Sequence, residues 1–202
     1  MRTALLVIDV QESFRRRPSW QAISAPDIAE RAGRLVDAAR ARAELVVWVL
    51  HAEPGSGGVF DPELGHVRLM DGLEPRPGEP VITKTSRNAF TTTNLQQLLT
   101  AAGVTDVVVC GIQTEQCCET TARLAADLGY TVTFVTDATA TFPIAHRDAP
   151  AHATAADLLA DPRTLPTADV IARTEYALAG RFATIATLEQ LTGGASAETA
   201  VG

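Results

Sequence analysis

The sequence predicts an α/β fold: a three-layer α/β/α sandwich around a mostly parallel sheet of roughly six strands. Three observations predict it. Short continuous apolar runs alternate with segments of helical periodicity along the 202 residues. That is the pattern of strands buried on both faces and joined by helical crossovers. No linker or internal repeat breaks the series, so residues 1–202 are expected to form a single domain. The chain is 46% apolar and 20% charged, a globular balance. A chain of this length buries about 70% of its unfolded surface and needs no disulfide or structural metal to fold.

The elements follow in order. Ala4 to Ile8 is a continuous apolar run ending at Asp9, the signature of a buried parallel strand. Asp27 is the expected cap of a helix whose apolar positions Ile28, Ala32, Leu35, Val36 and Ala39 keep helical spacing. Leu45 to Leu50 is the second strand. The stretch from His51 to Glu79 is rich in Gly and Pro and long for a connection, so it is expected to be a functional loop over one end of the sheet. Val81 to Thr83 is a short third strand with Lys84 at its end. Leu95, Leu98, Leu99 and Ala102 mark a helix that Gly103 closes. Asp106 to Cys110 is a strand, followed by Gly111 and a helix that includes Thr121 to Leu128. Gly129 ends that helix, and Thr131 to Val135 is the next strand, ending near Asp137. Beyond Pro143 the chain becomes Ala-rich and helical, with a last strand around Phe182 to Ile185 and a short final helix.

Several function classes are excluded by composition. A net charge of -7 argues against nucleic acid, whose phosphates demand a basic face. The longest apolar runs fall far below the ~20 residues of a membrane span, and no signal-peptide cleavage pattern follows the first strand. Three cysteines cannot all pair, which suits a reducing compartment, so a cytoplasmic protein is expected. Gly55-Ser56-Gly57-Gly58-Val59-Phe60 fails the dinucleotide fingerprint, because Phe60 stands at its third glycine. No cofactor is expected, and the partner is a small-molecule substrate.

In a parallel sheet ligands bind outside the carboxyl ends of the strands. Asp9, His51, Lys84, the turn from Gly111 to Cys117, and Asp137 all fall at such ends. Cys117 is expected in the first turn of a helix, where backbone N–H groups stabilise a thiolate and can hold an oxyanion. Asp9 is the candidate general base. Lys84 is the single lysine among 17 basic residues. In so Arg-rich a chain, a lysine that persists is one whose compact, tunable ammonium arginine cannot supply. Chance survival is the other explanation. Taken singly, Cys117 reads as a small buried hydrophobe and Asp9 as a carboxylate satisfied at a strand end. Their coincidence with Lys84 at one sheet edge favours chemistry. Cys110 and Cys118 are expected to pack, and no CxxC pair is present. The stretch Arg15-Arg16-Arg17 reads as a solvated basic turn, or else as an attractor for an anionic substrate.

The segments LLVIDVQESF (Leu5 to Phe14), Lys84 with Asn88-Ala89-Phe90, GIQTEQCCETTA (Gly111 to Ala122), and Gly129-Tyr130 through Thr136-Asp137-Ala138 resemble those of the isochorismatase-like cysteine hydrolases. The resemblance spans roughly residues 4 to 140. It implies an Asp-Lys-Cys triad of Asp9, Lys84 and Cys117, with a covalent acyl-type intermediate on the cysteine. It also implies a cis peptide between Ile112 and Gln113 that aims backbone N–H groups, with that of Cys117, at the oxyanion. The expected reaction is cleavage of an amide or carbamoyl C–N bond in a small molecule. Phe14, Trp48, His51, Asn88 and Phe90 are the expected pocket wall. Asn88 stands where the family often has Ser, so the pocket is expected to differ there. Nicotinamidase-like members bind a metal through an Asp-x-His pattern and a later His. Here His51, Glu53 and His66 are the nearest match, and their scatter predicts no metal. The resemblance further implies a homodimer or homotetramer. Vinyl-ether hydrolysis of the isochorismate type is a second reading, disfavoured by the cysteine. A catalytically silent scaffold is a third.

Overall fold

The computed structural model describes residues 2–150 and 154–193. Its six strands are β1 (Thr3–Ile8), β2 (Leu45–His51), β3 (Val81–Lys84), β4 (Asp106–Ile112), β5 (Thr131–Ala140) and β6 (Thr184–Ala186). They form one sheet in the order β3-β2-β1-β4-β5-β6, and every pairing is parallel. The helices are α1 (Glu12–Arg15), α2 (Ile28–Ala41), α3 (Leu95–Ala101), α4 (Glu119–Asp127), α5 (Ala155–Ala160), α6 (Thr167–Leu178) and α7 (Leu188–Thr192).

Alternation along β1 divides the core. Leu5 and Val7 face one side with Trp48 and the α2 residues Ile28, Leu35 and Val36. Leu6 and Ile8 face the other with Val47, Val49, Leu95, Leu99 and Ala122. Burying one such aliphatic side chain contributes roughly 1.5–3 kcal/mol, so this two-sided filling dominates the fold. The sandwich expected from the sequence is therefore present, and its boundaries moved little. β2 gains His51, β3 gains Lys84 and β5 runs on to Ala140. Gly103 and Gly129 close α3 and α4 at φ +66° and +92°, as glycines past a helix end do. Asp27 does not cap α2. Its backbone sits at φ -89°, ψ 17° rather than extended, so its carboxylate is turned from the helix amides and accepts instead from Arg31 Nε at 2.9 Å.

The chain builds outward from β1 to β2 and β3, then returns to place β4 on the other side of β1. The crevice between the carboxyl ends of β1 and β4 is thus the topological switch point. Gly111 sets how close those two strands come. Its φ is +126°, and a Cβ there would lie 1.9 Å from the carbonyl oxygen of Ile8. Only glycine fits.

Candidate active site

Three strand ends deliver three side chains to this crevice. Asp9 follows β1 with its backbone at φ +54°, a left-handed conformation that asparagine and aspartate tolerate better than most residues. That turn aims its carboxylate back over the sheet, and the Asp9 N–H donates to Val49 O at 2.8 Å. Lys84 ends β3. Cys117 lies in a wide π-type turn, Thr114–Cys118, just ahead of α4, rather than in the first turn of a regular helix. Turns of this kind often mark functional sites.

Lys84 Nζ stands at the centre. It donates to Asp9 Oδ2 at 2.7 Å and to Cys117 Sγ at 3.4 Å, and lies 3.4 Å from His51 Nδ1. The three donors of the ammonium are thereby matched to three partners. Asp9 and Lys84 are completely buried and Cys117 nearly so. Asp9 Oδ1 is buried without a hydrogen-bond partner. Burial raises the Asp9 pKa, against the opposing pull of the Lys84 charge and hydrogen bond and of the nearby Cys117 and His51. Burial likewise pushes the Cys117 thiol up to about 12, with the Asp9 charge adding to the rise and Lys84 opposing it. The thiolate expected from a helix start is therefore not the resting form. Desolvation and the Asp9 charge outweigh the pull of Lys84, and the sulfur rests protonated beside Asp9.

His51 is held by Gln11, whose Oε1 accepts from the His51 N–H at 2.7 Å while its Nε2 donates to the His51 carbonyl at 3.0 Å. The amide acts as one rung of a strand beyond the end of β1, a role the sequence analysis missed. Burial and the Lys84 charge lower the His51 pKa, so the ring is neutral at pH 7. With Nδ1 accepting from Lys84, the Nε2–H is left to donate to Glu53 Oε1 at 3.3 Å. The Ile112–Gln113 peptide is cis.

A sequence model of the Isochorismatase domain matches residues 3–169. The chain belongs to the isochorismatase family. A streptothricin hydrolase from Streptomyces noursei is 41% identical over 143 residues, covering 70% of this chain and 55% of that protein. The match thus spans about half the length of the streptothricin hydrolases. An isochorismatase from Pseudomonas putida superposes with a TM-score of 0.79 at 33% identity, covering 94% of this chain and 89% of its own. An isochorismatase-family structure from Chromobacterium violaceum reaches 0.82 at 27% identity, covering 95% and 92% of the two chains.

Above Asp9, Lys84 and Cys117, this isochorismatase-family chain opens a cavity of about 630 Å³ that reaches Asp9 and Cys117. Of the expected wall, Phe14 and His51 line it. Trp48, Asn88 and Phe90 do not. Trp48 sits within β2 on the α2 side, fully buried, and its Nε1 donates to Glu79 Oε2 at 2.9 Å. Asn88 closes its own turn, its Oδ1 accepting from the Phe90 and Thr91 N–H groups at 3.0 and 2.9 Å, a role common for this side chain. Phe90 packs on Tyr130, ring centroids 6.1 Å apart. Asp137 also leaves the site. Its Oδ1 accepts from Leu188 N at 2.7 Å and anchors the start of α7.

The remaining wall comes from residues not expected in it by name, several of them in stretches expected near it, the His51–Glu79 loop and Arg15-Arg16-Arg17. Phe60, from the His51–Glu79 loop, meets Phe14 edge-on at 4.9 Å. Phe142, beyond β5, stacks on Phe14 at 6.2 Å. Arg17, Arg87, Glu53 and Glu115 bring charge to the same cavity. The visible signals were the Gly- and Pro-rich stretch from His51 to Glu79 and the run Arg15-Arg16-Arg17; nothing marked Phe142. The donor set for a metal does not assemble. His51 and Glu53 touch, but Ser13 Oγ donates to the His66 carbonyl at 2.9 Å, and His66 does not line the cavity. Among the described residues no three of His, Cys, Asp or Glu are grouped to hold an ion. Among them, too, no helix is long and apolar enough to cross a membrane. Cys110 and Cys118 are fully buried in the sheet's two cores.

Proposed function

We propose that this isochorismatase-family chain is a cysteine hydrolase. It cleaves an amide or carbamoyl C–N bond of a small molecule through a thioester-type intermediate on Cys117. The observation that carries this reading is the sealed Asp9–Lys84–Cys117 contact beneath a cavity that reaches Cys117. A buried, unpartnered carboxylate oxygen beside a protonated thiol is the arrangement of a general base awaiting its acid.

With the thiol pKa near 12, proton loss and attack are coupled. The S–H proton passes to Asp9 as the sulfur bonds to the carbonyl carbon, so no free thiolate accumulates. Lys84 Nζ, in contact with Cys117 Sγ, stabilises the growing negative charge on sulfur. The carbonyl oxygen becomes an oxyanion, met by backbone N–H groups of the turn running from Ile112 and Gln113 to Cys117. One such donor is worth about 10²–10³ in rate. As the tetrahedral intermediate collapses, the C–N bond breaks and Asp9 returns its proton to the leaving nitrogen. Water then gives a proton to Asp9 and attacks the thioester carbon, and the released sulfur is reprotonated. The net reaction consumes one water and yields an acid and an amine or ammonia.

The test is ammonia release from a panel of primary amides, ureido compounds and carbamoyl amines, run in the presence of EDTA. Wild type should turn over at least one compound, and Cys117→Ala should fall to background, while Cys118→Ala and Cys110→Ala keep most of the rate. A trapped acyl adduct mapped by mass spectrometry to Cys118, or turnover that survives Cys117→Ala, would overturn the assignment. An inert scaffold would show no turnover of any compound in the panel.

A further inference from the structure

Arg15, Arg16 and Arg17 are consecutive, yet they have three different fates. Arg15 bonds Glu12 at 3.2 Å and covers Trp20, and Arg16 is exposed. Arg17 precedes Pro18, which holds it extended at φ -75°, ψ 138°, and its side chain joins the wall of the catalytic cavity. There its guanidinium lies 5.2 Å over the Phe142 ring. Among the described residues no carboxylate comes within ion-pair distance of it. Burial and the nearby Arg87 lower its pKa, and Glu53 acts only at longer range. A guanidinium carries five N–H donors and keeps its charge. Half-buried against an aromatic face, it lacks the acceptors that such a charge normally finds.

We propose that the cavity takes its substrate as a monocarboxylate. The carboxylate is held by Arg17 and the scissile amide or carbamoyl group sits at Cys117. This deepens the reading of Cys117 as nucleophile and rests on it. The other charges of the wall are already engaged. Lys84 and Asp9 pair with each other. Arg87 lies 4.0 Å from Glu53, which also meets His51. Glu115 accepts from Gln113, Gln116 and Thr141. Arg17 is the wall cation that no carboxylate of the described residues pairs, so it is the one open to a ligand's carboxylate. A dianion such as a phosphate monoester would face Glu53 and Glu115 with a single free cation. The planar fork of arginine matches a carboxylate in two parallel hydrogen bonds, and Phe14, Phe60 and Phe142 supply a bed for an apolar body.

Two probes of nearly equal size and different charge test this. Iodoacetate and iodoacetamide both alkylate sulfur: the S–C bond forms, iodide leaves and the thiol proton is lost. The ratio of their rates at Cys117 is measured by peptide mapping in wild type and in Arg17→Gln. Loss of a charge-assisted contact should lower the iodoacetate-to-iodoacetamide ratio by about tenfold or more. An unchanged ratio overturns the carboxylate site while leaving the nucleophile intact. If neither reagent modifies Cys117, the nucleophile fails, and thermal shifts with benzoate and benzamide then decide the carboxylate site alone. Stabilisation by benzoate that disappears in Arg17→Gln supports it, and equal shifts with both compounds overturn it.

Discussion

Lys84 touches a carboxylate, a thiol and an imidazole at once, which makes it the sharpest test at the scale of one residue. Arginine would keep the charge but replace a compact donor with a broad planar one at a position where the side chain is fully buried. Lys84→Arg should retain the fold by circular dichroism. It should lose at least about a hundredfold in kcat/KM on any substrate the ammonia screen finds, since a displacement of ~1 Å in a catalytic group costs that much. Near-wild-type kcat/KM would reduce Lys84 to a source of positive charge. The Asp9–Lys84–Cys117 constellation was legible in the sequence because Asp9 and Lys84 stand where an apolar run stops and Cys117 in the turn that follows one. The wall was not. Whether Trp48 faces the cavity or the α2 side depends on strand parity, and whether Asn88 meets a ligand or its own backbone depends on turn geometry. Neither shows in residue type.

Among the elements, β1 and β4 carry the register on which the site depends. The expected outcome of Gly111→Ala follows from the 1.9 Å separation between its Cβ and Ile8 O: the two central strands cannot pair as they do. A loss of about 4 kcal/mol or more in unfolding free energy is expected, read as a fall in the urea midpoint. Gly129→Ala is the control. Gly129 has a similarly left-handed φ of +92° but open space around it, so only the backbone term of about 1 kcal/mol applies. Equal losses in both would show that close approach is not what Gly111 provides. A second element-level anchor explains why Trp48 is where it is. Glu79 accepts from its indole and from Arg40 Nε and Nη2. Its own burial is outweighed by these bonds and by the Arg76 N–H, so its pKa falls to about 2. The sequence shows an apolar strand and a distant loop glutamate, and nothing in their spacing announces that they meet.

Across the whole molecule, buried thiols govern behaviour in alkali. Cys110 and Cys117 are both pushed up to about 12 from an ordinary value of 9.0, in each case chiefly by burial. The unfolded chain releases these protons first, so between pH 9 and 12 the folded state holds more protons than the unfolded state. Stability is then fully present below pH 9 and is lost as pH rises, at about 1.4 kcal/mol per pH unit for each thiol. Urea midpoints measured at successive pH values above 9 should fall accordingly, and Cys110→Ala should make the decline shallower. A flat profile would mean that the thiols are not sealed as described.

The position of β3 has a consequence for how such a site fails. β3 is four residues long, forms the edge of the sheet, and exposes Val81 and Thr83. Asp9 and Cys117, by contrast, follow the two innermost strands. The ammonium that joins them is therefore carried by one of the sheet's two short edge strands. Edge segments with few buried contacts open at a fraction of the global free energy. Withdrawing Lys84 would leave the carboxylate and thiol in place without their bridge. Catalysis would thus be extinguished by a local fluctuation that barely disturbs the rest of the fold, and restored each time the strand closes.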